Sequence, residues 1–135
     1  MKGSCLCGAV TYEVQPPFKL FQYCHCSRCR KFTGSAHASN LFVAPEQFSW
    51  LTGADRIGRY EPPEAKYFAT CFCKCCGSSL PWEAQGGRNL VIPAGTLDDE
   101  PDIRPGGNVF WGSRASWYEE TCAMAKFEAL PPRKR

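Results

Sequence analysis

Short runs of alternating apolar and polar residues dominate this chain and predict β-strands rather than helices. Val10, Tyr12 and Val14 alternate with smaller or polar residues, which is typical of a strand with one buried face. No amphipathic helical pattern extends beyond about two turns. One short helical turn is predicted over residues 26–32, with Gly34 ending it.

Proline and glycine residues divide the remaining chain into further short extended segments. The predicted segments are 18–23, 36–43, 48–51, 56–61, 67–73, 78–83, 89–95 and 108–111, with a one-turn cap at 45–47. The acidic stretch 98–102 is predicted to be an exposed loop. This pattern favours an all-β fold in which several small curved sheets pack against each other.

The length and charge of the chain limit its organisation and its partners. A chain of 135 residues is expected to form one domain over 1–135, with a loose basic tail at about 129–135. Lys and Arg exceed Asp and Glu by only 16 to 13, and apart from residues 28–31 and 133–135 the cations are scattered. This weak excess argues against a dedicated nucleic-acid binder.

Ten cysteines raise the question of whether they form disulfides or bind metal. The N-terminus lacks the apolar core of a signal peptide, and no segment approaches the ~18 apolar residues of a membrane span. We therefore expect a cytoplasmic protein with reduced thiols and no membrane contact. Most of the cysteines lie one or two residues apart, which indicates metal ligation rather than a disulfide framework.

A first set of cysteines joins distant parts of the chain and is called the four-sulfur set below. It consists of two close thiol pairs, each just before a glycine: Cys5 with Cys7, and Cys73 with Cys76. A glycine with positive φ lets the backbone amides turn toward the sulfurs, as in a metal-binding knuckle. Four thiolates fill the tetrahedron of zinc, so this set predicts a structural site, and such binding contributes on the order of 10 kcal/mol to folding in model peptides.

Two neighbouring cysteines complicate the choice of ligands. If the strand continues, Cys71, Cys73 and Cys75 share one face, and Cys75 then competes with Cys76. The spacing of Cys73 and Cys76, followed directly by Gly77, makes the better knuckle. Cys71 and the isolated Cys122 are interpreted as small buried apolar residues.

A second set, the three-sulfur set, consists of Cys24, Cys26 and Cys29. Two sulfurs one residue apart lie on the same side of an extended segment, and a turn brings the third to face them. Zinc with three protein ligands keeps an open position and usually performs chemistry. Its three thiolates leave a net negative charge, which the nearby cations would offset while attracting an anionic thiol substrate; these cations are Arg28, Arg30 and Lys31.

The alternative for this set is a second closed site in which His25, His37 or Cys71 supplies the fourth ligand. His25 is disfavoured because its side chain points to the opposite face of an extended strand from its cysteine neighbours. An imidazole such as that of His37 is more often half-buried and hydrogen-bonded than a metal ligand. Each of the three cations is also more often a solvated surface charge than a substrate contact.

The cysteine motifs, taken together, resemble the glutathione-dependent formaldehyde-activating enzyme family, which includes centromere protein V-like proteins. The matching stretches are residues 3–10 with Tyr12, 24–31, Phe72-Cys73 with Cys76-Gly77, 93–99 and Trp117-Tyr118. Two departures stand out: Cys75 is an extra thiol within the second knuckle, and the chain is compact for the founding enzyme type.

The resemblance implies a β-tent of several small coiled antiparallel sheets with few short helices. It also implies a structural zinc on the four-sulfur set and a catalytic zinc on the three-sulfur set. The implied activity is that of a carbon–sulfur lyase, in which formaldehyde and glutathione combine to S-hydroxymethylglutathione. No glutathione contacts follow from the resemblance.

The first hypothesis is therefore a zinc-dependent carbon–sulfur lyase-like enzyme that joins a small thiol to an aldehyde. In it, Arg28, Arg30 or Lys31 contacts the carboxylates of the thiol, and His25 and His37 are weak candidates for the general acid. The second hypothesis is a non-enzymatic zinc module that binds a protein, a thiol or nucleic acid. A third is a protein that only stores or scavenges glutathione.

Overall fold

The computed structural model describes residues 1–118 and 123–134, and over this range it is built mainly from short β-strands. The strands are β1 (Lys2–Ser4), β2 (Thr11–Val14), β3 (Leu20–Cys24), β4 (Ala38–Val43), β5 (Phe48–Thr52), β6 (Ile57–Tyr60), β7 (Thr70–Cys73), β8 (Ser79–Leu80), β9 (Trp82–Glu83), β10 (Leu90–Pro93) and β11 (Asn108–Val109). The predicted all-β class is confirmed. Cys122 and Arg135 lie outside the described residues.

Helical structure is limited to one short α-helix and four single 3₁₀ turns in the described part of the chain. Helix α1 (Ser27–Thr33) ends at Gly34, whose φ of 65° is the left-handed conformation common after helices. The 3₁₀ turns are Pro45–Gln47, Ala54–Arg56, Ala94–Thr96 and Trp111–Ser113. No helix among the described residues is both long enough and apolar enough to cross a lipid bilayer.

The strands form three small sheets. Two have three strands each, in the orders β1-β2-β5 and β6-β7-β8, and the third has five strands in the order β11-β3-β4-β10-β9. The strand pairs are antiparallel except β11 with β3, which is parallel. The expected small antiparallel sheets are therefore present, with one parallel edge strand added.

The two faces of the five-stranded sheet have different surroundings. On β4, Leu41 and Val43 are fully buried and pack with Phe21 of β3 in one apolar core. Because side chains alternate across a strand, Ala38 and Asn40 lie on the other face, opposite Cys24 and Gln22 of β3. The three-sulfur set lies on that second face.

A second apolar core surrounds the four-sulfur set. Cys5 and Cys73 are buried in it together with Val10, Leu80 and Val91. This core brings residues of all three sheets together. Cys5 and Cys73 therefore anchor the four-sulfur set in a packed interior, whereas Cys7 is exposed and Cys76 is half-buried.

Several elements differ from the sequence-based expectation. The segment 67–73 is a strand only over Thr70–Cys73, and Tyr67 is exposed. The segment 78–83 is divided at Pro81 into β8, which pairs with β7, and β9, which pairs with β10. Proline has no amide hydrogen to donate to a strand neighbour, so it is a natural place for a chain to leave one sheet and enter another.

The acidic loop is exposed, as expected, and it also makes specific contacts. Both oxygens of the Asp98 carboxylate accept hydrogen bonds from Ser4 Oγ at 2.9 Å, and Asp99 Oδ2 accepts one from the Lys2 amide at 2.7 Å. These carboxylates hold the edge of β1.

Candidate metal centres

The four-sulfur set comes from two turns that face each other. Cys5 and Cys7 lie in the turn between β1 and β2, while Cys73 ends β7 and Cys76 lies in the turn that leads to β8. The four sulfurs lie within 4.8 Å of one another. The set therefore joins two different three-stranded sheets.

The glycines after these pairs have the backbone conformation that a knuckle requires. Gly8 has φ of 78° and Gly77 has φ of 76°. Their amides donate to the carbonyls of Cys5 at 3.0 Å and of Cys73 at 2.7 Å. The Val10 amide points at Cys5 Sγ, 3.3 Å away. Both turns therefore direct their sulfurs toward the same small space.

The spacing of these sulfurs fits a zinc ion. A tetrahedron with zinc–sulfur bonds of about 2.3 Å has sulfur–sulfur edges of about 3.8 Å. Cys5 Sγ lies 3.6 Å from Cys7 Sγ, which in turn lies 3.9 Å from Cys73 Sγ. Hydrogen bonding from Ser78 Oγ, 3.2 Å from the sulfur, lowers the pKa of Cys76 to about 5, which favours the thiolate that a metal needs.

Cys75 and Cys71 are not part of the four-sulfur set. The exposed Cys75 lies beside Arg56, with Nη1 to Sγ at 3.7 Å. Cys71 is buried, and burial raises the pKa of its thiol above the ordinary value even though Arg59 lies nearby. Cys71 therefore remains protonated at neutral pH, in agreement with its interpretation as a small buried residue.

The three-sulfur set is assembled by the end of β3 and the start of α1. The sulfurs of Cys24, Cys26 and Cys29 lie within 4.8 Å of one another, and Cys24 and Cys29 are buried. Cys26 is the N-cap of α1, and its sulfur accepts a hydrogen bond from the Cys29 amide at 3.3 Å. The helix cap thus turns the third sulfur toward the other two.

Mutual hydrogen bonding gives the three thiols unequal acidities. Hydrogen bonds from the Cys24 and Cys29 thiols lower the pKa of Cys26 far below its ordinary value. The same sharing raises the pKa of Cys29, because its proton is held between two sulfurs and burial also disfavours its charge. One thiolate is therefore stabilised in this set without a metal, and the other two thiols are suitable ligands once deprotonated.

Neither histidine belongs to this group of sulfurs. His25 is fully buried on the opposite side, where its Nε2 lies 2.8 Å from Asn108 Oδ1 and its ring contacts Trp111 and Tyr118. His37 is half-buried and stacks on Tyr23 with ring centroids 4.2 Å apart. Both rings therefore pack behind the three-sulfur set.

The three-sulfur set opens on a cleft of about 240 Å³, called the site cleft below. Its rim carries exposed aromatic rings of Tyr67 and Phe110. Phe110 has φ of 54°, the one positive value of a residue other than glycine in the described chain. This left-handed conformation is unfavourable for a bulky residue, and it ends β11 and directs the following turn.

The three cations identified from the sequence have different surroundings. Arg28 lines the site cleft, and its guanidinium lies over the Phe68 ring, 5.4 Å from the centroid. Lys31 lines a neighbouring cleft of about 390 Å³, which shares Arg28 and Phe68 with the site cleft. Arg30 instead donates from Nη1 to the Ser113 carbonyl at 3.3 Å.

Several cleft residues did not emerge from the sequence. Lys66 adds a second cation at the mouth, and Gln22 and Asn40 bring two carboxamides to the wall. Lys66 lies more than thirty residues from the three-sulfur set, so no local pattern links them. The only available signal was Asn40, a residue type that is uncommon in strands, within a predicted strand.

Comparison with known proteins agrees with this arrangement. The family model described as glutathione-dependent formaldehyde-activating enzyme matches residues 1–113. A Halomonas elongata protein, provisionally named a glutathione-dependent formaldehyde-activating enzyme, is 34% identical over 114 residues, covering 78% of this chain and 69% of the relative. A crystal structure of a Rhodobacter sphaeroides protein shares the fold, with a TM-score of 0.65 and 23% identity over 80% of this chain and 99% of that one.

Proposed function

Because this chain belongs to the glutathione-dependent formaldehyde-activating enzyme family, we propose that it is a zinc-dependent carbon–sulfur lyase-like enzyme. It joins a small thiol, with glutathione as the expected one, to a small aldehyde such as formaldehyde. The observation that carries this proposal is the three-sulfur set at the wall of an open cleft. We also propose that the reaction occurs in the cytoplasm, where thiols remain reduced.

Different roles for the two sulfur sets follow from their composition. The four-sulfur set completes a tetrahedron by itself, so we assign it a structural zinc. The three-sulfur set is one ligand short of that number, and its cleft gives room for a fourth from outside the protein. When bound there, zinc supplies the positive charge that keeps a substrate thiol deprotonated near neutral pH.

The charged residues of the cleft suit an anionic thiol. Arg28 and Lys66 are exposed at its mouth, where they attract the carboxylates of a thiol such as glutathione without being buried. Lys31 extends the positive charge into the neighbouring cleft. We assign Arg30 to holding the turn Trp111–Ser113, because its guanidinium is bound to that turn.

The reaction is an addition without a change in overall oxidation state. The sulfur lone pair forms a bond to the aldehyde carbon, the carbon–oxygen π bond breaks, and its electrons move to oxygen. The proton that leaves the thiol ends on that oxygen, which gives a hydroxymethyl thioether from formaldehyde. The cleft contributes by holding sulfur and carbon in contact.

Substitution of one cleft cysteine tests the proposal. Cys29→Ser is expected to lose about one zinc per chain and to lower thiol–aldehyde turnover at least about 100-fold, because the site no longer holds a thiol as thiolate. The measurements are zinc per chain and the catalysed rate above the spontaneous reaction at fixed glutathione. Cys75→Ser is the matched control, since Cys75 is exposed and outside both sets.

The outcomes separate an enzyme from a binding module. Loss of turnover with one zinc retained in Cys29→Ser supports the proposal, provided that Cys75→Ser keeps both zinc ions and full activity. Unchanged zinc and unchanged turnover in Cys29→Ser contradict it. Glutathione binding by the unsubstituted protein without any rate above the spontaneous one identifies a thiol-binding zinc module instead.

A further inference from the structure

The wall of the site cleft contains a carboxamide with no hydrogen-bonding partner among the described residues. Asn40 is only 6% exposed and lines the cleft, so its remaining exposed surface opens there. Among the described residues, none donates to or accepts from its side chain, and its amide atoms are not fully buried but reach the cleft. Buried polar groups are nearly always paired because leaving one unpaired is unfavourable. A carboxamide that is set this deeply, has no protein partner and reaches only the cleft is available to a ligand there.

The strand register brings this carboxamide close to the sulfurs. Asn40 of β4 is directly opposite Gln22 of β3, and Ala38 is opposite Cys24. Asn40 and Cys24 are thus diagonal neighbours on one face, a relation with a typical spacing of about 7–8 Å. Gln22, half-buried beside Asn40, lines the same cleft. A small carbonyl compound bound between these two residues would have the Cys24 sulfur on one side and the Asn40 carboxamide on the other.

The addition of a thiolate to an aldehyde needs such a donor. Negative charge develops on the aldehyde oxygen as the carbon–sulfur bond forms, and a fixed N–H group directed at that oxygen lowers the barrier. The cations Arg28 and Lys66 are exposed at the mouth, whereas His25 faces the opposite side of the sheet. Asn40 is the buried donor on the cleft side of the sheet.

We propose that Asn40 is a catalytic residue whose Nδ2–H group donates a hydrogen bond to the aldehyde oxygen, with the Gln22 carboxamide beside it. This inference rests on the proposed function and adds the group that stabilises the developing charge. The amide keeps its proton throughout. The thiol proton reaches the oxygen through solvent, so the addition stays balanced and needs no further reactant.

A purely structural role for Asn40 and a catalytic role predict different effects of its substitution on the unfolding midpoint. If Asn40 only supported the fold, its replacement by leucine would destabilise the protein. If it is an unpaired donor kept for a substrate, Asn40→Leu breaks no protein hydrogen bond and is expected to leave the unfolding midpoint unchanged or to raise it. Asn40→Asp retains the shape of the side chain but replaces the donor by a carboxylate.

The decisive experiment measures recognition of a carbonyl oxygen without turnover. The zinc-loaded protein is titrated with S-acetylglutathione, which carries a carbonyl beside sulfur, and with S-ethylglutathione, which lacks it. One neutral hydrogen bond is expected to give roughly a fivefold preference for the acetyl compound. Asn40→Leu and Asn40→Asp should abolish this preference. Asn89→Leu, an equal substitution at a residue outside the cleft that accepts from Lys19, should keep it.

Turnover provides the second measurement. Asn40→Leu is expected to lower kcat by about 10²- to 10³-fold, as for the loss of one oxyanion donor, while glutathione affinity and zinc content stay unchanged. No preference in the unsubstituted protein, or a preference that survives in Asn40→Leu, overturns the inference. Retained turnover in the Asn40 variants overturns it while the proposed function stands. An Asn40-dependent preference without any turnover leaves the carbonyl contact in place and refutes the proposed function.

Discussion

Arg28 and Arg30 are separated by one residue but have different environments. The Arg28 guanidinium lies over Phe68 at the boundary between two clefts, whereas Arg30 donates to the Ser113 carbonyl. Helix geometry explains the difference, because residues two apart point about 200° away from each other around the axis. Of these two arginines, only Arg28 is in a position to contact a thiol in the site cleft.

This difference predicts which cation selects an anionic thiol. Arg28→Leu is expected to raise the KM for glutathione roughly three- to tenfold, since one partly solvated ion pair is lost, and to affect an uncharged thiol little. Arg30→Leu is the matched control and should leave the glutathione KM unchanged. Steady-state kinetics with glutathione and 2-mercaptoethanol measure both. Equal effects of the two substitutions would contradict the assignment.

The sulfur sets were predictable at the residue scale because their pattern is local. Cysteine spacing and the glycines that follow can be found directly in the sequence, and the structure brings both predicted sets together. The cleft wall was not predictable in this way. Lys66 and Asn40 join the site only through chain folding and the β3–β4 register, which no short pattern specifies.

At the scale of elements, the turn between β5 and β6 fixes how two segments pack. Gly53 has φ of 77°, and a Cβ at this position would collide with the Ala9 carbonyl oxygen. The Thr52 hydroxyl donates to the same carbonyl at 3.3 Å. The turn therefore lies directly against the backbone that leads into β2, with no space for a side chain.

Two glycine substitutions test this contact. Gly53→Ala is expected to lower the free energy of unfolding by roughly 2–4 kcal/mol, because backbone strain and a backbone collision add together. Gly86→Ala should cost only about 1 kcal/mol. Gly86 also has positive φ, 92°, but has open space around it. Urea unfolding at a fixed excess of zinc measures both free energies. Equal decreases in the two variants would contradict the prediction, because they would show that the contact between the new Cβ and the Ala9 carbonyl is relieved without cost.

The order of elements was largely predictable, but their pairing was not. Alternation and punctuation located most strands and the short helix, whose observed range is shifted by one residue from the prediction. The division at Pro81 and the parallel pairing of β11 with β3 depend on contacts between distant segments. Sequence periodicity carries no information on such partners.

For the whole molecule, the two sulfur sets have separate places in the architecture. The four-sulfur set connects two three-stranded sheets over a separation of 66 residues between Cys7 and Cys73. The three-sulfur set lies at the end of β3 in the five-stranded sheet, beside the site cleft. One metal would therefore hold the fold together, and the other would face the substrate.

The most direct test of this account is zinc-edge X-ray absorption of the two-zinc protein before and after glutathione addition. One closed and one open site predict about 3.5 sulfur ligands per zinc on average, rising to about 4 when the thiol of glutathione binds. S-methylglutathione, which has no free thiol, should leave the lower value unchanged. Four sulfurs per zinc before any thiol is added, or no change on adding glutathione, would contradict the open three-sulfur site.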